Sequence, residues 1–135
     1  LVAAVLAAGG AGVHVLRDPT RGGVSSATNE LAEAAGVAMV LDERAIPIRE
    51  EVRGACEILG LDPLYVANEG KALAIVAPEV ADAVLAAMRA NPLGREAAIV
   101  GEVTAGPAGR VTMRSRVGGF RIVDMMSGEQ LPRIC

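Results

Sequence analysis

Aromatic side chains are almost absent from this sequence, although 52% of its 135 residues are hydrophobic. Tyr65 and Phe120 are the only residues among Phe, Tyr and Trp, so the core must be built from aliphatic side chains and the 25 alanines, which let helices pack closely. The high apolar content argues against intrinsic disorder, and the length suits one domain or a piece of a longer chain. A formal net charge of −3 and the lack of rings for base stacking argue against nucleic-acid binding.

No segment has the length and character of a membrane span or a secretory signal. The longest apolar stretch, residues 1–13, is interrupted by glycines and is shorter than the ~20 residues that a bilayer requires. It also lacks a basic start and a cleavage site. Two cysteines make a disulfide framework improbable, so we expect a reducing, cytoplasmic setting. Because the chain begins at Leu1 without a methionine, we expect an upstream domain that holds part of the active site.

Hydrophobic periodicity predicts four helices and six strands. The helices are expected at 1–8, 24–35, 49–59 and 78–91, and the strands at 13–16, 37–41, 72–76, 98–103, 110–115 and 120–123. Helices and strands alternate at first and strands cluster late, which favours an α+β fold with a mixed sheet covered by helices. The glycine-rich stretch 106–109 suits a connection between antiparallel neighbours.

Three of the predicted helices have a candidate apolar face, which in the fourth consists of Val80, Val84 and Met88. The other two, the second and the third, are each followed by a glycine suited to end a helix. The faces consist of Val24, Ala27, Leu31 and Ala34 in the second helix, and of Val52, Cys56 and Leu59 in the third. The expected helix ends are Gly36 and Gly60. On this reasoning Cys56 is a small core residue rather than a reactive thiol.

The polar loop Asp18–Gly23 precedes the second predicted helix and ends in two glycines. A glycine pair lets backbone N–H groups approach an anion, and the helix N-terminus adds a partial positive charge. Thr20 and Arg21 could add a hydroxyl and a cation to a phosphate, and Asp18 could hold Mg²⁺ or cap the helix. The alternative is a strand-to-helix turn with Asp18 as its cap. The loop is not a P-loop, because the lysine and the spacing are missing.

A second polar loop, Asn68-Glu69-Gly70-Lys71, precedes a predicted strand. Lys71 is the single lysine beside twelve arginines, so it departs from the compositional bias. Glu69 could act as a base or orient a substrate amide. The alternative is a solvated turn whose charged pair contributes little to stability.

The chain ends in a cysteine, Cys135. The adjacent α-carboxylate disfavours its thiolate and nearby Arg133 favours it. A thiol on a flexible tail can travel between sites, as a tethered carrier must, whereas a prenylation signal would need the cysteine fourth from the end. The alternative is an incidental terminal cysteine. His14, the sole histidine, cannot build a zinc site with these cysteines, and either helps a phosphate or substrate site or is structural.

Taken together, these features resemble the C-terminal half of the HypE family of hydrogenase maturation factors. The loop Asp18–Gly23 is shared more widely with relatives of aminoimidazole ribonucleotide (AIR) synthetase and selenophosphate synthetase, and the closing Pro-Arg-Ile-Cys is the most specific part. The segments that carry the resemblance are 17–23, 63–71, 92–98 and 132–135.

The resemblance implies a layered α/β/α fold like that of the C-terminal domain of AIR synthetase, over residues 1–124. It also implies a flexible tail over 125–135 and an absent N-terminal ATP-binding domain. In such a protein the carbamoyltransferase HypF loads a carbamoyl group onto Cys135, ATP activates the amide oxygen, and dehydration leaves a thiocyanate. The cyano group then passes to iron on the HypC–HypD complex. The protein would be a homodimer, with ATP and Mg²⁺ bound mostly by the missing domain.

The resemblance also implies roles for individual residues. Cys135 would be the carrier and Glu69 the base. The nucleotide phosphates would face Asp18, Thr20, Arg21, Gly22 and Gly23. Substrate or tail positioning would fall to Asn68, Lys71, His14 and Arg133, and no metal ligand is assigned. Two alternatives stay open: a dimerisation and docking module that is inactive alone, and another ATP-using enzyme of the superfamily with an incidental terminal cysteine.

Overall fold

The structure, a computed structural model, describes residues 1–125. The helices are α1 (Val2–Gly9), α2 (Gly23–Ala35), α3 (Glu50–Leu59) and α4 (Pro78–Ala90). The strands are β1 (Val13–Arg17), β2 (Ala38–Asp42), β3 (Leu73–Val76), β4 (Gly101–Thr104), β5 (Val111–Arg114) and β6 (Phe120–Ile122). These elements divide between two compact units, one made of Leu1–Arg17 with Ala72–Ile99, the other of Asp18–Lys71 with the chain from Val100 onward.

The first unit consists of a two-stranded antiparallel ribbon and two helices. Strand β1 pairs with β3, with Leu16 opposite Ala74. Helices α1 and α4 pack together, and a glycine permits this close approach: a Cβ atom at Gly9 would lie 2.9 Å from Cγ2 of the buried Val84. Pro78 occupies the first turn of α4, where its missing N–H costs nothing.

The second unit contains a four-stranded sheet in the order β4-β2-β5-β6. Strands β2 and β5 are parallel, with Met39 opposite Val111, and the other two pairings are antiparallel. The buried apolar side chains of this sheet region are Ala38, Met39, Leu41, Val111, Met113 and Val123. The predicted α+β class with a mixed sheet is therefore confirmed, with the six strands divided between two sheets.

One predicted connection is wrong. The stretch 106–109 joins β4 to β5, but these strands are not neighbours, because β2 lies between them and hydrogen-bonds to both. Both edges of β2 are thus occupied, and the connection has to pass over it. Gly109 permits the turn in this connection, because it adopts a φ of +74°. Its N–H also donates to the carbonyl of Val37, just before β2, over 2.8 Å.

The predicted apolar face of α2 is confirmed only in part: Ala27 is buried and Val24 is half-buried. Leu31 is only half-buried and Ala34 is exposed. The buried residues of α2 are small and largely polar: Gly23, Ser25, Ser26, Ala27, Thr28 and Ala32. Small side chains let the helix pack closely, and hydroxyl groups are tolerated there because they bond to backbone carbonyls; Thr28 Oγ1, for example, donates to Val24 O over 2.8 Å.

The third helix buries less than its pattern predicted. Cys56 is buried, as expected for a small core residue, but Val52 and Leu59 are 43% and 66% exposed. The predicted helix ends are confirmed, because Gly36 and Gly60 both adopt the left-handed conformation just after their helices. The strand predicted as buried at 72–76 is half-buried throughout as β3, since its ribbon has one partner strand.

Candidate functional site

The glycine pair before α2 is demanded by the backbone itself. Gly22 and Gly23 have φ angles of +64° and +63°, which side chains with a Cβ atom rarely adopt. A Cβ atom at Gly23 would collide with the carbonyl oxygens of Leu64 and Val66, the latter at 2.6 Å. The first turn of α2 therefore packs directly on the backbone of the 64–66 segment, so these glycines have a structural role whether or not an anion binds here.

The Asp18–Gly23 loop is internally bonded and tied to the second predicted loop. Thr20 Oγ1 donates to Asp18 Oδ2 over 2.5 Å. Pro19 is buried, and its carbonyl accepts the backbone N–H of Asn68 over 3.1 Å. Asp18 and Arg21 are exposed. The N-cap of α2 is Gly22, so the alternative in which Asp18 occupies that position is wrong.

This hydrogen bond joins the second predicted loop to the first. Asn68 is half-buried, and its Nδ2 donates to Val66 O over 3.2 Å. Glu69 and Lys71 are exposed, and Gly70 between them has a φ of +69°. Glu69 is thus exposed to solvent in a turn whose first residue, Asn68, is held by the bond to Pro19. A substrate could reach its carboxylate.

A third set of contacts at α2 was not anticipated. Ser25 Oγ donates to the carbonyl of Asp124 over 2.6 Å, and Asn29 Nδ2 donates to the carbonyl of Val123 over 2.8 Å. These bonds hold the chain just after β6. The sequence signal was available in principle: Ser25 and Asn29 are four residues apart and so share one face of a helix, where polar side chains interrupt an apolar pattern.

Three predicted site residues are not among these contacts. His14 is an exposed residue of β1, in the first compact unit. Arg133 and Cys135 lie outside the described residues. Within residues 1–125 no group of three histidine, cysteine or acidic side chains is placed to hold a metal ion. Over the same residues, no helix combines the length and the hydropathy needed to cross a membrane.

A charged network lies at the end of the parallel strand pair and was missed by the sequence analysis. Asp42 Oδ2 accepts a hydrogen bond from Arg114 Nη2 over 2.6 Å, and its Oδ1 accepts the backbone N–H of Arg44 over 3.0 Å. The Arg114 hydrogen bond is the largest cause that lowers the pKa of Asp42 below its ordinary value, followed by the Arg44 N–H. Arg44 in turn donates to the carbonyl of Arg116, so the network ties β2 to the β5–β6 turn.

These contacts place three separate stretches of chain around the first two turns of α2: the Asp18–Gly23 loop, the segment from Leu64 to Asn68, and the end of β6. Residues 1–114 match the family of AIR synthase related proteins, C-terminal domain. The chain belongs to this family. The expected likeness to the C-terminal domain of AIR synthetase is thereby confirmed.

Several curated relatives of this chain are HypE proteins. The chain is 62% identical to "Carbamoyl dehydratase HypE" of Azotobacter vinelandii over 135 residues, which is 100% of this chain and 39% of that protein. It is 59% identical, with the same coverage, to "Carbamoyl dehydratase HypE" of Rhizobium leguminosarum bv. viciae. The chain thus spans 39% of the length of these relatives, and the resemblance to HypE expected from its motifs is confirmed.

Solved structures agree with the sequence comparison. Hydrogenase maturation protein HypE in complex with ATP matches with a TM-score of 0.85 at 48% identity, covering 92% of this chain and 38% of that chain. A HypE–HypF complex matches with a TM-score of 0.84 at 38% identity, covering 90% of this chain and 39% of that chain. The backbone described above is therefore the HypE version of the family fold.

Proposed function

We propose that this chain is the C-terminal domain of a carbamoyl dehydratase and that Cys135 carries the substrate. In the proposed reaction a carbamoyl group on the Cys135 sulfur is dehydrated to a thiocyanate at the expense of ATP. The observation that supports this most directly is the convergence at α2, where the Asp18–Gly23 loop, the loop that contains Glu69 and the base of the terminal segment meet. A carrier that is processed in its own protein requires such an arrangement.

The chemistry divides into an activation and an elimination. The carbamoyl oxygen attacks the terminal phosphate of ATP, which releases ADP and converts that oxygen into a phosphate leaving group. Two N–H protons then leave the nitrogen, the C–O bond breaks with loss of phosphate, and a carbon–nitrogen triple bond remains on sulfur. We assign proton removal to Glu69, because its carboxylate is exposed in a loop whose first residue is fixed by Pro19.

The Asp18–Gly23 loop suits phosphate oxygens rather than a metal ion. Gly22 is the N-cap of α2, so the N–H groups of the first helical turn point out of the helix end together with the positive end of its dipole. Arg21 is exposed there and adds a cation, and Thr20 adds a hydroxyl. In the described chain Asp18 is not part of a three-residue acidic group, so we expect Mg²⁺ to be held mainly by residues upstream of this domain.

The proposal also covers the residues that position the substrate and the proteins that act with this one. Asn68, Lys71, His14 and Arg133 stay our candidates for positioning the substrate or the tail. HypF is the proposed donor of the carbamoyl group, a pairing supported by the solved HypE–HypF complex of a relative. The HypC–HypD complex is the proposed acceptor of the cyano group, for transfer to iron. We further propose a homodimer that acts in the cytoplasm, with residues 125–135 as the flexible carrier segment beyond a 1–124 domain.

The test uses the full-length protein and mass spectrometry. After incubation with HypF and a carbamoyl donor, we expect one carbamoyl group on Cys135, and on addition of ATP the loss of one water from that adduct. Cys56→Ala is the matched control, because Cys56 is buried and should not be modified. An adduct confined to Cys56 would refute the assignment.

The same experiment separates the alternatives. An ATP-using enzyme with an incidental terminal cysteine would keep its activity in Cys135→Ala, whereas our proposal requires complete loss of dehydration. A docking module would bind HypF and the scaffold complex equally well with or without Cys135. As an isolated domain it would hydrolyse no ATP, and micromolar ATP binding by the isolated domain in a nucleotide titration would contradict this alternative.

A further inference from the structure

We propose that Ser25 and Asn29 are positioning residues that set the origin of the carrier segment. This inference rests on the proposed function of Cys135. The two side chains lie in the first and second turns of α2 and bind the carbonyls of Asp124 and Val123, the last residues before Met125, where the described chain ends. We call these four residues the tail clamp.

The tail clamp has the features of a fixed point. Ser25 and Val123 are both 0% exposed, and the Val123 N–H donates to Val111 O of β5 over 2.9 Å. Asn29 Nδ2 also donates to the carbonyl of Ser25 over 2.9 Å, so the amide is held by two acceptors and cannot rotate freely. The chain just after β6 is thus fastened by one backbone bond to β5 and by two side chains of α2.

The location of the clamp connects it with the proposed reaction. Ser25 is two residues after Gly23, so the carrier segment originates within one helical turn of the phosphate loop. The last clamp bond is at Asp124, so eleven residues, 125–135, form the carrier segment, and a fully extended chain of that length spans at most about 36–40 Å. A fixed origin inside that radius keeps the effective concentration of the bound carbamoyl group at the site high.

The length of the carrier segment alone does not account for the expected effect of the tail clamp on the dehydration rate. Releasing residues 123 and 124 would lengthen an eleven-residue tether to thirteen, which lowers the effective concentration by only about 1.3-fold on the −3/2 power law. The direction in which the carrier segment starts has a larger effect on the dehydration rate. Misplacement of a reacting group by about 1 Å can slow a reaction by far more than the change in tether length does. We therefore expect dehydration to slow by about 3- to 10-fold when the clamp is opened.

The neighbouring Thr28 supplies a matched control. Its hydroxyl is buried like that of Ser25, but it bonds only to carbonyls of its own helix, Val24 O and Ser25 O, among the described residues. Thr28→Val removes a buried hydroxyl from α2 without touching the clamp. Ser25→Ala and Asn29→Leu remove one clamp bond each while keeping the helix.

The experiment measures single-turnover dehydration in full-length protein already carbamoylated on Cys135. We expect Ser25→Ala and Asn29→Leu to reduce the dehydration rate at saturating ATP, with the KM for ATP and the rate of loading by HypF within twofold of the unsubstituted protein. Thr28→Val should leave all three unchanged. A purely structural role would instead shift the KM for ATP and the melting temperature together with the rate.

Two results would overturn the inference in different ways. If Cys135→Ala abolishes dehydration while both clamp variants react at the original rate, the tail clamp is refuted and the proposed function stands. If Cys135→Ala stays active, no carrier exists and both proposals fall. Should Ser25→Ala not fold, Asn29→Leu alone decides, since its half-buried side chain can be replaced with less disturbance.

Discussion

Asn68 donates its backbone N–H to the carbonyl of Pro19 over 3.1 Å, and this bond joins the two loops that carry most of the candidate site. The loops are about fifty residues apart in the chain. Because Pro19 is buried, the acceptor is shielded from water and the bond is protected from competition. Glu69 directly follows Asn68, so this bond holds its backbone next to the point where the second loop meets the Asp18–Gly23 loop.

Replacing Glu69 tests the assigned base. Glu69→Gln preserves size and polarity but cannot accept a proton, so we expect normal carbamoylation of Cys135 and dehydration slowed by about 10²- to 10⁴-fold. Glu57→Gln, an exposed carboxylate on α3, is the control and should react at the original rate. Equal dehydration rates in all three proteins, measured by mass spectrometry, would remove Glu69 from the mechanism.

Replacing Arg21 tests the phosphate loop. Arg21→Ala removes an exposed cation next to Gly22, so we expect the KM for ATP to rise by about tenfold with little change in protein stability. Arg110→Ala, at the start of β5, removes a comparable exposed charge and should leave the KM unchanged. The measurement is ATP hydrolysis by the full-length protein; identical KM values for the two variants would argue against phosphate binding at this loop.

The packing of the glycine pair predicts an unequal response to one methyl group. Gly23→Ala should lower the free energy of unfolding by about 1–2 kcal/mol because of the positive φ, and by a further ~1–3 kcal/mol because the added Cβ atom collides with the 64–66 backbone. Gly36 has a similar φ of +66°, but nothing lies within 4 Å of the atom that Gly36→Ala would add. This variant should therefore lose only the about 1–2 kcal/mol that the positive φ causes. Chemical denaturation compares the two free energies of unfolding; equal losses would contradict the close approach.

The Asp42–Arg114 pair predicts a dependence of stability on pH. The pKa of Asp42 is lowered in the folded protein, so its contribution is complete above the unfolded-state pKa and is lost as pH falls through the folded-state value. Between about pH 5 and pH 2 we therefore expect the melting temperature to fall less steeply in Asp42→Asn than in the unsubstituted protein.

A matched variant checks the cause of that shift. Arg114→Gln removes the hydrogen bond that lowers the pKa of Asp42 most, so its melting temperature should show the same flattened pH dependence. The double variant should resemble each single one, since both remove the same interaction. Parallel pH profiles for the unsubstituted protein and both variants would show that the pair does not set acid stability.

Local features of this chain were predictable wherever a neighbouring residue decides the structure. Gly36 and Gly60 end their helices as expected, because a left-handed residue at a helix end needs no distant partner. The strand expected at 13–16 is present as Val13–Arg17. The candidate loops at Asp18 and Asn68 were also found from sequence, since glycine and polar side chains cluster there.

Misassigned features all depend on distant contacts. The apolar face expected on α2 contains instead the buried Ser25, whose hydroxyl reaches the carbonyl of Asp124, 99 residues further along the chain. The strand expected at 98–103 begins at Gly101, where pairing with Leu41 of β2 starts. No window of sequence around residue 98 contains the partner that decides this boundary.

The sequence by itself determined the element types, the family and the residues able to do chemistry, because these follow from side-chain identity and short-range periodicity. Tertiary structure alone decided that β2 lies between β4 and β5, that Gly23 faces the 64–66 backbone, and that Ser25 and Asn29 hold the chain after β6. Each of these depends on a backbone carbonyl or N–H contributed from another part of the chain. Backbone groups are the same at every residue, so no side-chain pattern reveals which of them will meet.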